Sequence, residues 1–445
     1  MDLFHTLIAS VIRRLAAWLL AMAMAILCLP VQPVFAQEGD LLTLPDAIGL
    51  TLAQNPELAV FPLQKRGFDG AGQTAALKPE MELGVEAEYK HFNEGDSDNT
   101  PDPEDDADNE FELTVTLSSV VEMGNKRQAR IDVVNAQRDL LIADEQAKAL
   151  DLLAEVIRRY TQVLAAQELV VLAEEKVALA REALSAVSAR VSAAASPVSE
   201  RMRAESSLAK AILAQQTDQS MLVYYKHALS ALWGQPAQNY RVDSAELYRF
   251  DPGASFEALY ERAQANPAIA RFASEERLQA SRLRLTQANS RPDVGWYAGL
   301  RVNPAVNETA VQAGFSVPLF TAKRNRGAEL TAMTELDEVM LRREAALLQL
   351  YPQLFLAVTS REQALGTVST LQDSVIPKLR QALTEVDRAY RRGRDSYVDL
   401  ISARDELLSA ERARIEAARS VLLFGAEIEQ LTAGPLGPMS VDSSK

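Results

Sequence analysis

A metal centre needs several His, Cys or carboxylate donors at fixed spacing, and this chain is poor in two of those three. It has 445 residues but only 3 histidines and 1 cysteine. Cys28 lies in an N-terminal apolar run, and His91 and His227 stand far apart with no second nitrogen donor nearby. Carboxylates are plentiful: residues 94–110 hold nine Asp or Glu and no apolar run. Such a segment could bind divalent cations weakly. Dense like charge with Pro and Gly stays solvated, so a solvated surface loop is the expectation. One carboxylate has a defined local setting, Asp399, which closes Ser396-Tyr397-Val398-Asp399 at capping-box spacing. There is no Gly-rich phosphate loop and no activated nucleophile beside a base. The sequence therefore predicts a protein that is not an enzyme, with no catalytic residue, no cofactor and no resident metal.

The bulk numbers narrow the class further. A net charge of −15 opposes nucleic-acid binding, which needs a clustered excess of Lys and Arg. Residues 1–36 read as an export signal: Arg13 and Arg14, an apolar run to Leu29, then Val34-Phe35-Ala36 at cleavage spacing. That apolar run is too short for the roughly 20 residues of a membrane span. Its removal takes away Asp2, Arg13 and Arg14, one net positive charge, and moves −15 to −16. Cys28 leaves with it, and Leu27 before it argues against a lipid anchor.

The elements that must position any functional residue come in two copies. "DAIGLTLAQNPELAVF" opens the first at Asp46 and "FEALYERAQANPAIARF" the second at Phe256. Asn55-Pro56 and Asn266-Pro267, read as helix breaks, lie 211 residues apart. Each copy then runs through a helical stretch to Pro79 or Pro292, alternates with period two, and returns by a second alternating stretch. A basic segment follows, "GNKRQAR" from Gly124 or "AKRNRGA" from Ala322, and opens a very long helix. The boundaries are 37–245 and 246–434 for the repeats, with a tail at 435–445.

Four strands are expected, at about 80–91, 110–120, 293–303 and 310–319. Leu83, Val85, Ala87 and Tyr89 face one way, and Glu82, Gly84, Glu86 and Glu88 the other. No other segment offers a partner sheet for the apolar face, so a membrane barrel around water fits best. Four strands cannot close around an aqueous lumen, because barrel diameter grows with strand number. Closure requires several chains.

Helical hairpins are expected at about 125–233 and 326–432. The first carries Leu153, Ile157, Tyr160 and Leu164 at helical spacing, and the second Val375, Leu379, Leu383, Val386 and Tyr390. Pro352 and Pro377 predict kinks or breaks in the second. At the first tip Ser196 is the expected N-cap with Pro197 at the first helical position. At the second, Gly393 ends the descending helix.

Helix, Asn-Pro, strand pair, long helix, tip and return helix, given twice from Leu42 to Gly434, resemble the TolC family of outer-membrane efflux proteins. "VVEMGNKRQAR" at Val120 to Arg130 is similar to the CzcC-like branch, which serves heavy-metal export. The resemblance implies a mainly α protein with a membrane β-barrel. Three copies would share 12 strands and an α-barrel across the periplasm of a Gram-negative bacterium, in contact with outer-membrane lipid. It also implies a periplasmic adaptor and an inner-membrane pump of the resistance-nodulation-division (RND) class as partners, and no nucleic acid. The function implied is passive conduction of metal cations or small toxic solutes.

Within that frame Asp399 falls at a family aspartate that helps constrict the periplasmic aperture, and a second such position is Ser402 here. Asp399 can gate, cap its helix, or do both. Ala194, Ser196, Pro197, Arg392, Gly393 and Arg394 at the tips are candidates for adaptor docking. Lys126, Arg127, Lys323 and Arg324 fall where barrel meets helices, with a structural role or ion pairs between protomers expected. Two rivals stand beside this reading. An exit duct of a type I protein secretion system would share the fold; a periplasmic coiled-coil adaptor would carry one hairpin between small β-domains.

Overall fold

The computed structural model describes residues 41–90, 110–235, 240–304 and 307–434. The export signal with Cys28, His91, most of the acidic segment and the tail at 435–445 lie outside the described residues. In the first repeat, α1 (Leu44–Gln54) and α2 (Pro56–Ala75) lead to β1 (Met81–Lys90) and β2 (Glu110–Val121). The long α3 (Lys126–Ser192) and its return α4 (Val198–Ser230) follow. In the second repeat, α5 (Phe256–Gln264) and α6 (Pro267–Asn289) lead to β3 (Val294–Asn303) and β4 (Glu308–Ser316). Then come α7 (Thr321–Thr370), a π-helical turn (Leu371–Val375), α8 (Ile376–Arg391) and the return α9 (Tyr397–Thr432).

The 67 residues of α3 span about 100 Å at 1.5 Å each. Only tertiary packing can hold so long a helix, and α3 packs on α2, α4, α6 and α9. At the α2 level the helices run α2–α3–α6–α7, and toward the tips α4–α3–α9–α8. One lateral edge is therefore α2 and α4, the other α7 and α8. The main core sits midway, where Val156, Tyr160 and Leu164 of α3 meet Leu229, Trp233, Leu247 and Ala418.

The Asn-Pro motifs do more than break a helix. Proline at the first helical position costs no hydrogen bond, and each asparagine caps the helix that follows. Asn55 Oδ1 accepts from the Glu57 amide at 2.8 Å, and Asn266 Oδ1 from the Ala268 amide at 2.7 Å. The side-chain amides reach the far end of the same repeat: Asn55 Nδ2 donates to the Leu232 carbonyl at 2.8 Å, Asn266 Nδ2 to those of Gln430 and Leu431 at 2.7 and 2.9 Å. Each motif ties the start of its repeat to the end of its return helix. Asn266→Ala removes a cap and strands two carbonyls, an expected loss of about 2 kcal/mol or more. Thermal unfolding followed by circular dichroism checks it; an unchanged midpoint refutes the tie.

Three details differ from the sequence expectation. Pro352 does not break α7, which continues through it. At Pro377 the break is displaced one turn upstream into the π-helical turn, which absorbs the missing amide and the clash with the carbonyl four residues back. At the first tip Pro197, not Ser196, is the N-cap (φ −73°, ψ 151°), and it makes no side-chain cap bond. The Ser196 hydroxyl is taken by Arg190 Nε, which donates to it at 3.0 Å.

Both tips end their descending helix in the same way. Gly393 has φ +76°, with the Arg394 amide bonded to the Ala389 carbonyl at 2.9 Å. Ala194 has φ +56°, with the Ala195 amide bonded to the Arg190 carbonyl at 2.8 Å. An alanine in this left-handed region is strained by about 1 kcal/mol, so Ala194→Gly is expected to raise the melting temperature slightly. A lower one would contradict the strain.

Candidate functional site: sheet, junction and tips

The four strands form one antiparallel sheet in the order β1-β2-β3-β4. The register aligns the alternation across all of them: Val85 faces Val115, Val115 faces Leu300, and Leu300 faces Val311. On the opposite face Glu86 lies against Thr114, and Thr114 against Arg301. Nothing among the described residues covers the apolar face. Leu83 is 70 % exposed, Val311 80 % and Phe315 79 %, a cost no water-soluble sheet would carry.

Aromatic residues mark both ends of that face. Tyr89 pairs with Phe111 at one end, and Trp296 with Phe315 at the other. Phe111 and Ser119, the partner of Trp296, lie eight residues apart on β2, about 27 Å along the strand. This matches the apolar band of about 25 Å between aromatic girdles in outer-membrane barrels. The polar face is acidic, with Glu82, Glu86, Glu88 and Glu112 against Arg301, which stands 3.5 Å from Glu112. Both outer edges, β1 and β4, lack a neighbour among the described residues.

The junction of sheet and helices is built at the seam between the repeats. Gly124 adopts φ +78°, where a Cβ would stand 2.6 Å from the Arg291 side chain, and Asn125 follows in the left-handed region. This sharp turn aims Lys126 across the seam. Lys126, 8 % exposed, donates to Asp293 Oδ2 at 2.7 Å, and the Met123 amide donates to Asp293 Oδ1 at 3.0 Å. Burial raises the Asp293 pKa, but the bonds from Lys126 and Met123 outweigh it and hold the carboxyl below its ordinary value. Arg130 forks onto Glu122 and reaches the Leu77 carbonyl at 3.2 Å. Arg127, Lys323 and Arg324 are exposed and form no ion pair among the described residues.

At the second tip the capping box is present. Asp399 Oδ2 accepts from the Ser396 amide at 3.1 Å and its hydroxyl at 2.6 Å, and the Ser396 hydroxyl accepts from the Asp399 amide at 3.2 Å. These bonds hold the exposed carboxyl below its ordinary pKa. Oδ1 makes no hydrogen bond among the described residues, and Ser402 lies exposed on the same helix face one turn on. Pro197, Arg392, Gly393 and Arg394 are exposed at the tips beside Ala194, and Ser196 is half-buried.

Behind these tips lies a set of residues that periodicity did not single out for function. Arg190 donates to the Tyr390 carbonyl at 2.8 Å and sits 4.8 Å from the centre of its ring. Arg404, buried, donates to the Leu179 carbonyl at 2.9 Å and stands 3.8 Å from Asp387. Arg391 reaches Glu182 at 3.2 Å. All three join the first hairpin to the second. Tyr390 belongs to the expected packing stripe and Arg391 borders the second tip, but nothing in the sequence assigns a role to Arg190 or Arg404. Among the described residues no group of three or more His, Cys, Asp or Glu could hold a metal ion.

The model of the family described as "Outer membrane efflux protein" matches residues 47–235, the first repeat. The cobalt-zinc-cadmium resistance protein CzcC of Cupriavidus metallidurans is 26 % identical over 381 residues, covering 85 % of this chain and 87 % of its own. The crystal structure of CusC superposes with a TM-score of 0.71 at 14 % identity, over 90 % of this chain and 96 % of that one. VceC, an outer membrane protein of Vibrio cholerae, gives 0.67 at 18 % identity, over 88 % and 96 %. Two hairpins on one sheet also differ from an adaptor, which carries a single hairpin between small β-domains. An uncovered apolar sheet and a duplicated hairpin frame give the chain the fold of the TolC-type outer membrane efflux channels, and its first repeat matches the model of that family.

Proposed function

We propose that three copies of the chain close one 12-stranded barrel and passively conduct metal cations outward, fed by a periplasmic adaptor and an RND-class pump. The observation that carries this is the sheet: four strands with an uncovered apolar face and two open edges among the described residues. An open edge is stable only when paired or covered, and a lipid-facing sheet must have no edge at all. The lateral helix faces support the same ring. Leu63 of α2 with Leu213 and Tyr224 of α4 are exposed on one side, and Leu341, Leu348 and Leu356 of α7 on the other. These faces differ, so the contact is head-to-tail and closes as a ring.

Three features favour cations. The relative CzcC is by its name a cobalt-zinc-cadmium resistance protein. The lumenal face of the sheet carries more Glu than Arg, and a ring of three Asp399 carboxylates at the entrance would attract cations without gripping them. The tips around Ala194 to Pro197 and Arg392 to Arg394 are the proposed adaptor contacts. Asp399→Asn separates gate from cap, because it keeps the side-chain acceptor and removes the charge. Reconstituted in planar bilayers, this variant is expected to lose much of its cation preference. Selectivity equal to wild type would leave Asp399 as a cap only.

A further inference from the structure

Among the described residues each chain has two open strand edges, and the charges beside both lack ion-pair partners. Glu80, immediately before β1, is exposed and forms no ion pair among the described residues. Lys323 and Arg324, in the first turn of α7 after β4, are exposed and equally without an ion pair among the described residues. In the middle of the chain the corresponding place is filled. There β2 passes into α3 beside the start of β3, and Lys126 closes onto Asp293 at 2.7 Å.

The duplication relates the two places. Glu80 follows Pro79 at the head of β1 as Asp293 follows Pro292 at the head of β3. β4 enters α7 through a left-handed N-cap, Phe320 at φ 62° and ψ 23°, as β2 enters α3 through Asn125 at φ 61° and ψ 29°. Lys126 is the first residue of α3; the first of α7 is Thr321, and Arg324 lies three residues on, on the same helix face. In a ring, β4 of one copy meets β1 of the next as β2 meets β3 within each. Val311, Ala313 and Phe315 of β4 share a sheet face with Leu83, Val85 and Ala87 of β1, so this join keeps the apolar surface continuous.

We propose that Glu80 of one protomer pairs with Arg324 of the adjacent copy, flanked by Lys323, repeating between subunits the Lys126–Asp293 junction found within each. This rests on the ring proposed above. Within one chain the pair cannot form, because β1 and β4 are separated by two strands, about 14 Å across the sheet. The partner is thus a second copy, chosen by opposite charge at the two edges. The internal pair would hold the seam inside each protomer, and its repeat would lock the seam between them.

The test is a charge exchange in the full chain, purified from outer membranes in mild detergent. Native mass spectrometry of the wild type comes first. Glu80→Lys alone, and Lys323→Glu with Arg324→Glu, are each expected to speed ring dissociation in dodecyl sulfate on the order of tenfold. All three changes together should return the rate to near wild type. Single-side variants without effect, or a combined variant no slower than the faster of them, would overturn the pair while leaving the ring intact. A wild type that is not three copies would remove the ring itself, and the pair with it. Should reversal block assembly, Glu80→Gln and Arg324→Gln form a double-mutant cycle on assembled rings. Non-additive rates support the contact; additive ones reject it.

Discussion

Replacing Leu300 by arginine is expected to abolish insertion of the protein into the outer membrane. Leu300 lies in the middle of β3, in the apolar row with Val115 and Val311, near the centre of the band between the aromatic girdles. An arginine at the midplane of a barrel's lipid face costs about 2–4 kcal/mol, and a ring of three copies carries that penalty three times. The control is Gln312→Arg, on the neighbouring strand but on the opposite face, where Gln312 faces Gly299. That arginine meets water and the lumenal glutamates, so the variant should assemble and conduct with reduced cation preference. Fractionation of cells into membrane and soluble material separates the outcomes. Equal insertion of both variants would mean that the faces have been assigned the wrong way round.

The second large effect is expected at Arg404. The residue is 8 % exposed, and its guanidinium spans the two hairpins, from the Leu179 carbonyl on α3 to Asp387 on α8. Arg404→Met keeps the bulk and removes the charge. Breaking a buried ion pair costs about 3–5 kcal/mol when the partner is stranded. Here Asp387 keeps a bond from Arg391 at 2.8 Å, so the cost falls nearer the 1–3 kcal/mol of an unsatisfied carbonyl. That is enough to shift a tip held by a few such ties. Arg190 and Arg391 remain, so the hairpins stay folded but part more readily at the entrance. Single-channel recordings should show a conductance several times that of the wild type. An unchanged conductance with a lowered melting temperature would make Arg404 a packing residue and no more.

How far these features could be read from sequence depends on how local their cause is. The strands were legible because period-two alternation is written within ten residues, and the duplication because Asn-Pro and the basic segments recur whole. The need for further copies followed from counting strands. What Asn55 and Asn266 bind was not legible: their partners are 177 and 164 residues away in the chain, and an Asn-Pro pair looks the same at any helix break. Arg190 and Arg404 were hidden for a similar reason. In a long amphipathic helix they resemble every other charge on the solvated face, and only the second hairpin buries them. Ser196 was misplaced by one position because Arg190, six residues earlier, competes for its hydroxyl. The displaced break at Pro377 shows a helix relieving a proline upstream of it, which propensity alone does not locate.

The shared barrel is the claim on which conduction, the subunit junction and the entrance all depend. Native mass spectrometry of the protein extracted from outer membranes tests it in one step. Three copies are predicted, with no folded species of lower mass until the detergent is made denaturing. A stable monomer that stays soluble without any detergent would contradict it, because an uncovered apolar sheet with two free edges cannot persist in water.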